Sequence, residues 1–314
     1  MKKVLITGAN GMIGNAIVNE FIDKYELVLI DKYTDKIDKF RHKVTVLENS
    51  LNDIEKWGHH LDSVYTVIHL AAAVHWKPKN KYEEQQFINT NVEDTRKLFA
   101  ACTKHGVKRF LFFSTNDVYK ASDKLITEDT PVNPQGIYGK SKYLAEQYLL
   151  EDSKKSNIEV CIFRPASVYG ENDKGSMKSL VDLCKKGIVP TIGNGANKKA
   201  LLYIKDIVQA VKRYVEFQNN LNGEVFNISS GNYSYKEIID AICDVFEINP
   251  FRLYIPRWFC KNLASKFGPI KKLAVAGETK MISNEKAYKI LGYKSKYSLL
   301  NGLKDAMAYY KKYN

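Results

Sequence analysis

The 314-residue sequence predicts an α/β chain: a doubly wound parallel sheet over roughly the first half, then a smaller α+β lobe. Three observations carry that expectation. Short β-branched or aromatic runs alternate with amphipathic stretches as far as residue 165. A glycine-rich turn joins the first run to the first amphipathic stretch. Beyond residue 169 the alternation gives way to loops rich in Gly, Asn and Lys.

Taken in order, strands are predicted over residues 4–7, 27–31, 44–47, 67–71, 109–114 and 159–164, and helices over 12–24, 83–105 and 138–153. The second half adds a helix over 176–186, strands over 200–204 and 224–228, and helices over 206–217, 234–246, 284–291 and 298–311. The expected division is 1–168 for the first domain, which also receives 204–231, with 169–203 and 232–314 forming the second lobe.

Composition narrows the function class. Hydrophobic residues at 45% and charged residues at 26% are those of a globular chain and exclude disorder and collagen-like repeats. The net charge of +13 invites a polyanionic partner, but the excess is lysine scattered along the chain, without an arginine-rich run, so no nucleic-acid partner is expected. The longest apolar stretch, residues 64–74, is too short to span a bilayer, and no membrane partner is expected either. Lys2 and Lys3 are followed by an apolar run that stops at Thr7-Gly8, unlike a signal peptide, so the expected location is the cytoplasm. Five widely spaced cysteines without a Cys-x-x-Cys pair indicate neither disulfides nor a metal site.

Two motifs carry chemistry. In the first, strand 4–7 runs into Gly8-Ala9-Asn10-Gly11-Met12-Ile13-Gly14 and then a helix. Glycines let the backbone turn tightly and approach a diphosphate, and the helix N-terminus offers it unpaired N–H groups. The second strand ends in Asp31, whose carboxylate suits the ribose hydroxyls of NAD and repels a 2′-phosphate; the adjacent Lys32 leaves NADP open. In the second motif, Tyr138 and Lys142 stand four apart at the start of a predicted helix and share one face. An ammonium beside a phenol favours the phenolate, making Tyr138 a candidate general base or acid. Ser114 and Thr115 end a strand at the carboxyl edge of the sheet, where ligands of such folds bind, and Thr115 is placed to bond a substrate hydroxyl.

These residues together resemble the extended short-chain dehydrogenase/reductase family, in its NAD-dependent epimerase/dehydratase branch acting on nucleotide sugars. The resemblance runs along almost the whole chain. It includes His69-Leu70-Ala71-Ala72, Asn91 with Thr95, Val118-Tyr119, Arg164-Pro165, Val168-Tyr169-Gly170, Tyr203-Ile204-Lys205-Asp206, Phe226-Asn227-Ile228 and Leu291-Gly292-Tyr293. It implies a Rossmann-like domain with a substrate-binding lobe. Gly8, Asn10, Gly11, Met12, Ile13 and Gly14 would hold the cofactor diphosphate, Asp31 and Lys32 the adenosine ribose, and Ser50 and Leu51 the adenine side. Leu70, Ala71 and Ala72 would line the cofactor's middle, with Asn91 supporting that edge and Ser114 and Pro165 nearer the nicotinamide. Tyr138 would carry the proton, Lys142 would hold the nicotinamide ribose and lower the Tyr138 pKa, and Thr115 would orient the sugar. Asn116, Asp117, Ser167 and Lys199 would face the substrate. Relatives usually form homodimers through a four-helix bundle, so helices 83–105 and 138–153 are expected at a dimer interface.

Four residues depart from the family pattern. Ser50 replaces an Asp that commonly reads the adenine amino group, Ser167 an Asn near the sugar phosphates, and Lys199 an Arg on the substrate pyrophosphate. Asn116-Asp117 stands where sugar dehydratases often carry Asp-Glu, which disfavours elimination of water. The leading expectation is an NAD-dependent C4 epimerase of a nucleoside-diphosphate sugar. The alternative is an NAD(P)H-dependent ketoreductase; a dehydratase or a non-enzymatic regulator ranks below both. His69 reads as a packed core histidine, His75-Trp76 as a loop pair that borders either substrate or solvent, and residues 309–313 as the end of a surface helix.

Overall fold

The computed structural model describes residues 1–74, 78–256, 258–259 and 277–312; His75, Trp76, Cys260 and Tyr313 lie outside them. Along the chain the strands are β1 (Lys3–Thr7), β2 (Glu26–Asp31), β3 (Thr45–Glu48), β4 (Val64–His69), β5 (Arg109–Phe113), β6 (Ser122–Ile126), β7 (Glu159–Pro165), β8 (Ser167–Tyr169), β9 (Ile188–Ile192), β10 (Lys198–Tyr203), β11 (Glu224–Ile228), β12 (Gly231–Ser234), β13 (Phe251–Ile255) and β14 (Lys280–Ile282). The helices are α1 (Met12–Phe21), α2 (Ile54–Trp57), α3 (Lys81–Ile88), α4 (Asp94–Lys104), α5 (Ile137–Ser153), α6 (Ser176–Lys185), α7 (Ile204–Glu216), α8 (Tyr235–Phe246), α9 (Glu285–Leu291) and α10 (Leu299–Lys312).

Seven strands form one parallel sheet in the order β11-β7-β5-β4-β1-β2-β3. The chain winds outward from β1 through β2 to β3 and then crosses back to β4, so the order reverses between β1 and β4. At such a reversal the loops leaving neighbouring strands diverge and open a crevice at the carboxyl edge. The sheet is buried on both faces, which explains its near-continuous apolar strands. Val4 and Ile6 of β1 pack with α1 and α7 residues such as Ile17, Val18 and Val211, whereas Leu5 packs with Leu98 and Phe99 of α4 and Leu149 of α5. A doubly wound sheet is therefore what the alternation in the sequence specified.

The second lobe is built on a sheet in the order β12-β10-β14-β6, with β8 also pairing β10, and on a separate parallel pair, β9 and β13. The short strands β6, β8, β9, β12, β13 and β14 have no counterpart among the predicted elements. Ser122–Ile126, inside the span expected for the first domain, pairs with β14. The helix predicted over 83–105 is interrupted: α3 and α4 are joined by a π-helical turn, Asn89–Glu93. A π turn is wider than an α turn and redirects the side chains within it, and here it holds Asn91. The C-terminal aromatic run also departs from expectation. Tyr310 is 2% exposed, and its hydroxyl donates to Asp173 Oδ2 at 3.1 Å and accepts from the Gly170 amide at 3.2 Å, so it ties α10 into the core.

Candidate active site

The glycine turn is shaped by what it excludes. Gly8 has φ of +70°, and a Cβ there would stand 2.7 Å from the Ala71 nitrogen. At Gly14 a Cβ would collide with the Gly8 carbonyl and sit 2.7 Å from Ala9 Cα. Only glycine lets α1 start directly beneath the β1–α1 turn and lets that turn touch the backbone leaving β4. Gly11 is the N-cap of α1 without a side-chain cap, so the first-turn amides of Met12 and Ile13 are left for a ligand.

Around this turn the expected residues assemble. Asp31 Oδ2 accepts from the Asn10 amide at 2.9 Å and Oδ1 from the Tyr33 amide at 3.3 Å, and burial raises its pKa. The Asn10 side chain binds Asp35 Oδ1 and the Lys36 amide, both at 2.8 Å, which fixes the loop after β2 to the glycine turn. Lys32 is exposed beside them. Ser50 Oγ caps a short 3-10 turn that begins at Leu51, accepting from the Asn52 amide at 3.3 Å.

Leu70, Ala71 and Ala72 follow β4. The Leu70 amide donates to the Thr7 carbonyl at 3.2 Å, and the Ala71 amide to Thr7 Oγ1 at 3.3 Å. Asn91 grips the backbone beyond them: its Oδ1 accepts from the Ala73 amide at 2.7 Å while its Nδ2 donates to the Ala73 carbonyl at 3.1 Å and to Ser141 Oγ at 2.9 Å. Ser141 Oγ in turn donates to the Tyr138 carbonyl at 2.9 Å. The π turn thus connects the loop after β4 to the helix that bears Tyr138.

His69 is wholly buried between Thr7 Oγ1 at 2.7 Å and Thr95 Oγ1 at 2.8 Å. Thr95 gives its proton to the Asn91 carbonyl, so it accepts from His69 Nε2, and Nδ1 accepts from Thr7. Burial and then Lys142 hold the His69 pKa well below its ordinary value. The imidazole is a neutral strut, as the core reading anticipated.

Thr115 ends the β5 segment, 7% exposed, and its Oγ1 accepts from the Asp117 amide at 3.1 Å, leaving its own proton to donate. Tyr138 lies in the first turn of α5, and Gly139 brings that turn against Asp117: a Cβ on Gly139 would collide with the Asp117 carbonyl and lie 2.9 Å from its carbon. The turn that bears Tyr138 is thereby seated against Asp117, two residues along the chain from Thr115. Gly139 is a site-building residue missed in the sequence, although Tyr-Gly in the first turn of a helix was a legible signal for a close approach. Lys142, one turn on, is 2% exposed with its Nζ 4.4 Å from the Phe112 ring centroid.

Electrostatics correct one expectation. Lys142 was expected to lower the Tyr138 pKa. Burial raises it, with a further push from the Asp117 carboxylate, while burial brings Lys142 itself down to about 7 against an opposing pull from Glu146. Asp117 is engaged by Lys280 Nζ at 3.2 Å, which β14 supplies from the second lobe. Lys280 pairs in register with Lys199 of β10, whose own pKa is lowered by burial, so two lysines stand side by side near Asp117. Lys280 was not foreseen, because the strand that carries it is three residues long. Ser167 Oγ lies 3.1 Å from Ser176 Oγ at the start of β8, and Pro165 ends β7.

The site fits a dinucleotide. A cradle that no Cβ could share lies at Gly8 and Gly14, and Ser114 Oγ is buried without a partner among the described residues. Among the described residues no cluster of metal ligands occurs and no helix is long and apolar enough to cross a membrane.

Comparison with known proteins places these features. Residues 4–229 match the NAD dependent epimerase/dehydratase family. The UDP-glucose 4-epimerase of Vibrio cholerae is 28% identical over 96% of this chain and 94% of its own length. The N-acetyl-alpha-D-glucosaminyl-diphospho-ditrans,octacis-undecaprenol 4-epimerase of Escherichia coli O157:H7 is 29% identical over 67% of this chain and 62% of its own. The solved UDP-glucuronic acid 4-epimerase of Bacillus cereus, in complex with UDP-glucuronic acid and NAD, superposes with a TM-score of 0.84 at 22% identity, covering 99% of this chain and all of that one.

Proposed function

Because the chain belongs to the NAD-dependent epimerase/dehydratase family and is an NAD-using enzyme of that family, we propose that it inverts C4 of a sugar carried on a diphosphate, with a nucleoside diphosphate as the leading carrier. The observation that supports this reading is that Gly139 seats the turn bearing Tyr138, with Lys142 one turn on, against Asp117, which follows Thr115 and is paired with Lys280. Two of the relatives named above, those from Vibrio cholerae and Escherichia coli, are 4-epimerases of sugars joined through a diphosphate to uridine or to a polyprenol.

NAD, when bound, supplies the hydride acceptor and donor at C4. The protein's residues handle the proton and the geometry. Thr115 donates its free hydroxyl proton to the C4 oxygen and fixes it near Tyr138 Oη. Tyr138 takes the hydroxyl proton and later returns it. Burial and Asp117 oppose the phenolate, so Lys142 on the same helical face is the cation available to favour it. Gly8, Gly11, Met12 and Ile13 would hold the cofactor diphosphate, Asp31 the adenosine ribose and Lys142 the nicotinamide ribose. Lys199 and Lys280 would face the substrate diphosphate. Elimination of water is disfavoured because Asn116 has no titrating proton and the Asp117 carboxylate is ion-paired. We further propose a homodimer through α4 and α5, tested by light scattering.

The test is incubation with UDP-glucose, UDP-N-acetylglucosamine, UDP-glucuronic acid and their dTDP and polyprenyl-diphosphate counterparts, without added NADH. Formation of the C4 epimer by NMR is expected from at least one. Absence of an epimer from all of them, or, in a parallel incubation supplied with NADH, its mole-for-mole consumption to give a single reduced product, would overturn the proposal.

A further inference from the structure

The charges at the substrate end of the crevice constrain the sugar. Thr115 caps the short 3-10 turn Asn116–Val118, and its Oγ1 accepts from the Asp117 amide at 3.1 Å. The Asp117 side chain is 62% exposed, is bound by Lys280 Nζ at 3.2 Å, and acts through its charge on the buried Tyr138 phenol. Its position ties it to both groups assigned above to the C4 hydroxyl: to Thr115 through the backbone and to Tyr138 through the field of its carboxylate. C5 of a hexose is bonded to C4 and carries C6. A sugar whose C4 oxygen is held at Thr115 and Tyr138 therefore keeps its C6 group in the neighbourhood of Asp117.

Lys280 lies in register with Lys199, and the charges acting on Lys199 are those of Glu278, Lys280 and Asp117. Two cations thus share this corner with two carboxylates before any substrate enters. A diphosphate-linked sugar brings its own negative charges onto the same lysines. Of the other titratable groups packed around Tyr138 and Lys142, His69 is neutral and Lys142, 2% exposed, is assigned to the nicotinamide ribose. A carboxylate at C6 would enter beside Asp117 with both lysines of the cluster already engaged, and like charges repel. A hydroxymethyl group meets no such repulsion and can donate its proton to the Asp117 carboxylate.

We propose that Asp117 is a specificity-determining residue that admits hexoses with a neutral C6 group, glucose and N-acetylglucosamine among them, and excludes the corresponding uronic acid. The inference rests on the C4-epimerase reading above and deepens it by naming the class of sugar.

The test compares kcat/KM for the glucose and the glucuronic acid forms of each carrier in the panel above that gives an epimer, since the two sugars differ only at C6. The glucose form is expected to be favoured by about tenfold or more. Asp117→Asn is expected to narrow that preference by about tenfold, and Lys280→Met to widen it. Because each variant is read as a ratio of two substrates, an effect on Tyr138 or on diphosphate binding that is common to both sugars cancels. Turnover of glucuronic acid equal to or above that of glucose, or a preference that Asp117→Asn leaves in place, would overturn the inference and leave the C4 reading standing. Absence of an epimer from every sugar would remove both.

Discussion

Lys142 should destabilise the protein that depends on it. It is 2% exposed, and burial takes it from the ordinary lysine value of 10.5 to about 7. At about 1.4 kcal/mol for each tenfold change in an equilibrium constant, that difference amounts to about 5 kcal/mol of opposition to the charged form in the fold. Between about pH 7 and the unfolded value near 10.5 the unfolded chain binds a proton that the folded one does not, so wild-type stability rises with pH through that window. Lys142→Met removes the titration and keeps an unbranched side chain against Phe112. In protein freed of nucleotide, urea unfolding near pH 7 should show the variant more stable by about 4 kcal/mol, and the gap should close as the pH approaches about 10. Turnover should be lost at both. A variant no more stable than wild type near pH 7, or a gap that does not change with pH, would refute the reasoning.

Other substitutions separate the parts of the site. Tyr138→Phe removes the proposed proton carrier and should lower kcat by roughly a hundred- to ten-thousand-fold while leaving NAD affinity, read by fluorescence quenching, unchanged. Gly139→Ala forces α5 off the Asp117 carbonyl; stability should fall by about 1–3 kcal/mol in thermal unfolding, and kcat should fall with it as Tyr138 moves away from Thr115. Glu146 is wholly buried and bound through both oxygens to Arg164, with Arg164 Nε at 3.0 Å. Glu146→Gln leaves that guanidinium uncompensated and should cost about 3–5 kcal/mol, whereas joint replacement of Glu146 and Arg164 by Leu and Met should cost much less; equal losses would refute the pairing argument.

The parts of this molecule that were legible in the sequence are those fixed by local rules. Strand, glycine turn, helix and Asp31 are close neighbours in the chain, and the physics that joins them is contact between adjacent backbones. Tyr138 and Lys142 were legible because four residues on a helix make one face. The π turn at Asn91 was not, and the partners of its side chain, Ala73 and Ser141, lie 18 and 50 positions away. Lys280 was hidden for the same reason: the pairing of β14 with β6 and β10 brings it to Asp117 across 163 positions. The direction of the Tyr138 shift was misread because spacing reports a neighbouring cation and does not report how much water the surrounding protein displaces.

The hydrogen bonds running from Thr7 through His69, Thr95, Asn91 and Ser141 to the Tyr138 carbonyl have a consequence for measurement. Within that series Asn91 Nδ2 donates both to the Ala73 carbonyl and to Ser141 Oγ, and burial holds the pKa of its only titratable member, His69, well below the ordinary value. Burial thus favours the neutral imidazole, which keeps the support of the helix bearing Tyr138 intact as the pH falls toward the ordinary histidine value. An inflection in the enzyme's rate near that value is then assigned to groups other than His69.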